Sequence, residues 1–224
     1  MDEIFIYGDR EVAHLKKVDP ALGAIIDQIG HIERAVIPDL FTALVNSIVA
    51  QQISSKAKDT VWKRMMERFG KITPETVCAA SAEDIQQCGM SMRRVNYIKE
   101  AASSVLSGEL DIEALHTMPD DEVCRRLSGL PGIGVWTAEM LMTFSMQRPD
   151  ILSWGDLAIH RGMRMLYRHR KIDRELFQKY RQRYSPYATV ASLYLWAIAA
   201  GACNLKDCAT PTGTQKKKPK NKQQ

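Results

Sequence analysis

Leu130-Pro131-Gly132-Ile133-Gly134-Val135-Trp136-Thr137-Ala138 lies between a segment carrying Val123 and Leu127 at helical spacing and another carrying Ala138, Leu141 and Met142. Two helices are therefore joined by a very tight turn. Pro131 fixes one torsion, while Gly132 and Gly134 permit positive φ and leave no side chain in the way. Such a turn exposes backbone N–H groups at the start of the second helix, where unpaired donors and the helix dipole together favour an anion such as a phosphate. Taken by itself, a Pro-Gly-x-Gly is more often an ordinary connection between packed helices.

The same periodicity extends in both directions. Asp19-Pro20 opens a helix that Gly30 closes, and Pro38 opens one from Asp39 to Ile53 whose face is Leu40, Leu44 and Ile48. Ser54 and Ser55 cap the next, which ends at Gly70; Thr73-Pro74, Ser81 and Ser91 each read as an N-cap, the Ser91 helix running to Gly108. Further segments follow near Asp111 to His116, Pro119 to Ser128, Gly134 to Ser145, Asp156 to Arg168, Asp173 to Tyr184 and Pro186 to Ala200. No strand-like alternation and no internal repeat interrupts them. The expected fold class is all-α, with about ten short helices.

A chain of 224 residues with 45% apolar residues is long enough for one compact domain or two small lobes sharing a core. No stretch reaches the roughly 18 apolar residues of a membrane span, and Met1-Asp2-Glu3 begins no leader pattern, so a cytoplasmic protein without a membrane partner is expected. Five cysteines (Cys78, Cys88, Cys124, Cys203 and Cys208) have no spacing suited to zinc or an iron–sulfur cluster. They read as reduced, mostly buried thiols. The net charge of +5 resides in the tail, residues 211–224, through Lys216, Lys217, Lys218, Lys220 and Lys222. That tail is expected to be disordered, either adding sequence-blind attraction to phosphates or merely aiding solubility.

Twenty-two residues beyond Gly134, the segment Asp150-Ile151-Leu152-Ser153-Trp154-Gly155-Asp156-Leu157-Ala158-Ile159-His160 brings a lone acid to the start of another helix. Asp156 is an N-cap on its local pattern, and the positive end of a helix favours a negative charge there. A tight Gly/Pro hairpin followed at this distance by an aspartate resembles the helix-hairpin-helix (HhH-GPD) DNA glycosylase superfamily, over about residues 40–201. The resemblance implies a helix-hairpin-helix glycosylase fold in which Leu130, Gly132, Gly134 and Thr137 hold the DNA backbone and Asp156 is catalytic. Cleaving a sugar–base bond builds positive charge on the deoxyribose, which one adjacent carboxylate stabilises; it also orients or deprotonates the incoming water.

Within the superfamily the chain is similar to the 3-methyladenine DNA glycosylase II (AlkA-like) branch. Trp136 occupies the hairpin position where bifunctional members carry a lysine nucleophile, and Lys171 and Lys179 have no motif to place them. The four-cysteine cluster of other branches is missing. The resemblance therefore implies monofunctional removal of alkylated purines (3-methyladenine, 7-methylguanine) from double-stranded DNA, without cofactor or catalytic metal, by a monomer. An N3- or N7-alkylated purine carries positive charge and leaves as a neutral base, so no general acid is required. Trp136 would line the base pocket by stacking. Pro186-Tyr187-Ala188 is similar to the Pro-Trp-Arg that opens a C-terminal helix of the branch, which makes Tyr187 a second pocket residue with smaller stacking area and leaves the lesion range open. Trp154 either joins that pocket or only packs; Trp196 and Trp62 read as core.

Extruding a nucleotide leaves a gap that a side chain must fill. Gln51 and Gln52, with Ile53 behind them, match the family's wedge region, and Lys56, Lys58, Arg93 and Arg94 flank it. The larger relatives' N-terminal β-domain has no room here, making this a compact form. Family architecture implies one lobe at 38–150, with the hairpin at 130–138, and a second built from 1–37 plus 151–210, the site lying in the cleft between them. Two rival readings remain: a glycosylase for another lesion, such as a deaminated purine or mismatched pyrimidine, and a noncatalytic damage-sensing DNA-binding protein.

Overall fold

A computed structural model describes residues 3–209. Thirteen helices follow one another: α1 (Asp9–Val18), α2 (Pro20–Ile29), α3 (Leu40–Ala50), α4 (Ser55–Phe69), α5 (Pro74–Ala79), α6 (Ala82–Gln86), α7 (Met92–Leu106), α8 (Ile112–Leu115), α9 (Asp120–Ser128), α10 (Val135–Phe144), α11 (Leu157–Tyr167), α12 (Arg174–Tyr184) and α13 (Ala188–Ala199). Among the described residues the nearest thing to a sheet is one antiparallel bridge between Ile4 and Ala35. The fold is all-α, with more helices than the pattern suggested. The expectation for residues 211–224 lies outside the described residues.

Short polar side chains start the helices by satisfying orphan N–H groups. Asp19 accepts from Leu22 N at 3.0 Å, Asp39 from Thr42 N at 2.7 Å and Asp173 from Leu176 N at 2.9 Å. Three boundaries differ from the sequence reading. α1 is an addition to the pattern read from sequence: Leu15 is its single fully buried side chain, and most of its residues are polar. α3 stops at Ala50 instead of Ile53: Gln51 leaves the helix at φ −59, ψ 130. Gln52 then takes a left-handed φ of 54. α13 starts at Ala188, two residues beyond Pro186.

The buried side chains form two hydrophobic clusters. One gathers residues from Leu40 to Ile151, including Leu44, Ile48, Ile98, Leu127 and Met142. The other joins both ends of the described chain, from Phe5, Leu15 and Leu22 to Phe177, Tyr184, Tyr194 and Ile198. Each fully buried aliphatic or aromatic side chain contributes about 1.5–3 kcal/mol, so either cluster can hold its helices together. The chain passes between clusters at 36–40 and again between Ile151 and Leu152. In the second cluster α11 lies unusually close to α13: a Cβ on Gly162 would stand 2.3 Å from the Leu195 carbonyl oxygen. Only glycine allows that approach, and it makes a stiff base beneath the start of α11. No helix among the described residues is long and apolar enough to cross a membrane.

Candidate active site

The hairpin occupies the six residues between the end of α9 and the start of α10. Gly132 has φ 81, and a Cβ there would fall 2.4 Å from the Tyr97 ring of α7, so both the backbone and the packing require glycine. Gly134 differs from expectation: at φ −88, ψ 170 it is ordinary extended backbone. Nothing lies within 4 Å of where its Cβ would be, so this glycine leaves the first turn of α10 uncovered instead of supplying a special torsion. The N–H groups of that turn have no preceding helical carbonyls to pair with. Leu130, read as a backbone-holding residue, points its side chain into the first cluster at 9% exposure. Its carbonyl accepts from Ile133 N at 3.1 Å, closing the turn from inside.

Asp156 is the N-cap of α11 and is 6% exposed. Its Oδ1 accepts from Ala158 N at 2.8 Å and Ile159 N at 3.0 Å. Its Oδ2 accepts from Trp136 Nε1 at 3.0 Å. The bond ties α10 of the first cluster to the head of α11 in the second. A carboxylate has about four acceptor sites, so three donors fix the group's orientation and leave one lone pair of Oδ2 for a further partner. The Trp136 ring is 48% exposed. A Cβ on Gly155 would lie 3.7 Å from Trp136 Cβ, so the loop carrying Asp156 runs against that residue.

Beside Trp136 opens a groove of about 530 Å³ lined by Gln51, Gln52, Gly132, Trp136, Thr137 and Met140, among others. It shares Ser47 and Met140 with a second hollow of about 350 Å³ that reaches Phe144 and Arg34. Gln51 is not free: Nε2 donates to the Gly132 carbonyl at 2.7 Å, and Arg94 donates to the Gln51 backbone oxygen. Gln52 is exposed beside it, and Ile53 is half-buried. Arg93 and Arg94 line a hollow with Gln51, Gln52, Tyr97 and Gly132, Lys58 borders the hollow that reaches Arg34, and Lys56 is exposed.

The remaining aromatic candidates face other neighbours. Tyr187 meets His14 of α1 edge-on at 5.2 Å, with the Arg10 guanidinium 5.9 Å from its ring. Trp154 packs edge-on against Phe177 at 5.0 Å and His160 at 4.7 Å, and Arg174 stands 5.3 Å over it. Neither borders the groove beside Trp136. Trp62 and Trp196 are half-buried against the first and second clusters. Lys171 and Lys179 are exposed. The cysteines are all free, but only Cys88 and Cys203 are buried, against the expectation that most would be.

The sequence reading missed Glu139. It sits one turn beyond Trp136 on α10, half-buried, and accepts from the buried Ser153 hydroxyl. Burial pushes its carboxyl above the ordinary value, Ser153 and Arg181 pull it down, and Asp156 pushes it up again. The available signal was an acid in an otherwise apolar helix, Val135-Trp136-Thr137-Ala138-Glu139-Met140, three residues from a site tryptophan. No group of three or more His, Cys, Asp or Glu side chains suited to a metal ion occurs among the described residues.

Known proteins share the helical frame of this chain. Residues 45–186 match the HhH-GPD superfamily base excision DNA repair proteins. DNA-3-methyladenine glycosylase 1 of Schizosaccharomyces pombe is 32% identical over 161 residues, covering 70% of this chain and 71% of that protein. A crystal structure of a DNA-3-methyladenine glycosidase from Bacillus halodurans superposes with a TM-score of 0.81 at 35% identity, covering 89% of this chain and 94% of the other. The Schizosaccharomyces pombe 3-methyladenine DNA glycosylase in complex with abasic DNA superposes with a TM-score of 0.71 at 28% identity, covering 86% and 97%. The chain belongs to the HhH-GPD superfamily of base excision DNA repair proteins.

Proposed function

We propose that this protein is a monofunctional DNA glycosylase that hydrolyses the N-glycosidic bond of alkylated purines in double-stranded DNA. The observation that carries the reading is the bond from Trp136 to Asp156: a half-exposed ring and a buried carboxylate are joined where an uncovered helix start begins. The first turn of α10 holds a phosphate beside the lesion, which presents the extruded nucleotide to the groove. Gln52, exposed and held in a reversed backbone conformation, fills the vacated stack, while Gln51 braces it against the hairpin.

As the bond between C1′ and the base nitrogen breaks, its electron pair leaves with the base. Positive charge grows on the sugar, and the free lone pair of Asp156 Oδ2 stabilises it. Water then adds to C1′, and its proton passes to the carboxylate. A positively charged alkylpurine departs neutral, which explains how one acid suffices. Trp136 stands in the place of a lysine nucleophile, so no Schiff base forms and the strand stays whole. Relatives named DNA-3-methyladenine glycosylase and a neighbour crystallised on abasic DNA support this substrate class. The two hydrophobic clusters serve as its two lobes, and the enzyme acts as a monomer in the compartment that holds the DNA.

The test is excision from duplexes carrying 3-methyladenine, 7-methylguanine, hypoxanthine or uracil, analysed with and without alkali. Release of the methylated purines with strands intact until alkali is added is the expected result. Binding without release of any base, or strand cleavage before alkali, would overturn the reading.

A further inference from the structure

The loop that carries Asp156 is gripped by α10 at two points one turn apart. At one end Trp136 donates to Asp156 at 3.0 Å. At the other, Glu139 accepts from Ser153, whose side chain is fully buried. The loop is also closed on itself, Asp156 N lying 3.4 Å from the Ser153 carbonyl. The two grips differ in accessibility. The Trp136 ring is half exposed and is the surface a base would stack on, whereas Ser153 of the second grip is fully buried.

We infer that Glu139 is the positioning residue for Asp156, holding Ser153 and with it the whole loop in place while Trp136 engages the extruded base. The inference rests on the reading of Asp156 as the catalytic carboxylate. The surroundings suit such a post. Arg181 of α12 offsets the Glu139 charge, Asp156 opposes it, and Cys124 of α9, its thiol pushed up by burial and by Glu139, adds no cation. An acid half-buried between three helices is costly unless its bond to Ser153 does something the fold needs. What that bond holds is the approach to Asp156.

Four variants test it: Glu139→Gln, Glu139→Ala, Ser153→Ala and the double alanine. Glu139→Ala lowers the single-turnover excision rate about tenfold or more, since misplacement by about 1 Å costs up to about a hundredfold, with affinity for abasic duplex unchanged. Glu139→Gln, whose amide oxygen still accepts from Ser153, recovers most of the rate. Ser153→Ala matches Glu139→Ala, and the double variant is no slower than either. A wild-type rate in Glu139→Ala, a Gln variant as slow as the Ala variant, or multiplicative losses in the double variant would each overturn the inference. If Glu139→Ala fails to fold by thermal unfolding, Glu139→Gln and Ser153→Ala decide: the first fast and the second slow supports it, and any other pairing refutes it. Asp156→Asn is run alongside. Should it excise normally, the reading of Asp156 falls; should it be inactive while Glu139→Ala is normal, only the positioning role falls.

Discussion

Replacing Asp156 by asparagine separates charge from shape at the centre of the site. Asparagine caps a helix as well as aspartate does, and its Oδ1 still accepts from Ala158 and Ile159. What is lost is the acceptor for Trp136 Nε1, where an amide N–H now faces the indole N–H. Because that ring is half exposed and can turn to water, the folding cost is about 1 kcal/mol, a small part of the roughly 5–15 kcal/mol that holds a domain together. The catalytic cost is larger. Removing a preorganised electrostatic partner of a developing charge costs about 2.7–4 kcal/mol, or about a hundredfold to a thousandfold in rate. The two effects are therefore separable: single-turnover release of 7-methylguanine at saturating enzyme reports the second, and urea unfolding the first. Fluorescence anisotropy with an abasic duplex should show binding close to wild type. A variant that releases base within about threefold of wild type, equivalent to about 0.7 kcal/mol, would refute the assignment of the stabilising charge to Asp156.

Gln52→Ala should slow excision with little change in the midpoint of thermal unfolding, because its side chain is exposed, whereas Gln51→Ala should also loosen the hairpin by removing the bond to the Gly132 carbonyl. Gly132→Ala meets both a left-handed φ of 81 and the Tyr97 ring, so it should cost at least about 1–2 kcal/mol and weaken binding to undamaged DNA, read by urea titration and anisotropy. Gly162→Ala should cost about 3 kcal/mol because the Leu195 carbonyl cannot move aside; an unchanged urea midpoint would show that α11 and α13 are not so closely packed. The burial-raised pKa of Glu139 means that the folded state binds its proton more tightly than the unfolded chain. Its contribution to stability is complete below the ordinary value of 4.5 and declines as pH rises toward the folded value, so Glu139→Gln should flatten that slope in urea midpoints measured across pH.

Helical spacing and caps carry most of the fold in plain view. Asp19, Asp39 and Asp173 announce their helices because a short acid one to three residues before an apolar repeat has few other uses. α1 escapes for the opposite reason: with only Leu15 buried, its sequence looks like a solvated lead-in. Gln51, Gln52 and Ile53 fit a helix locally, yet α3 ends at Ala50, because the hairpin carbonyl that holds Gln51 comes from 81 residues further along. In the site, the glycines and Asp156 are legible because turn chemistry and capping are local. Partnerships are not: that Trp136 meets Asp156, that Glu139 meets Ser153, or that Trp154 turns to Phe177 depends on how helices from distant parts of the chain are stacked.

The chain's two crossings between its hydrophobic clusters have a practical corollary. Hairpin, groove and Gln52 all belong to the excursion from residue 40 to Ile151, which touches the second cluster through Phe144, while Asp156 stands on the framework from which that excursion departs and to which it returns. A graft made at those two junctions would transplant the proposed grip on DNA as a cassette and leave the proposed reactive acid with its original owner. Chimeras of this kind would show whether lesion choice travels with the cassette or stays with the acid.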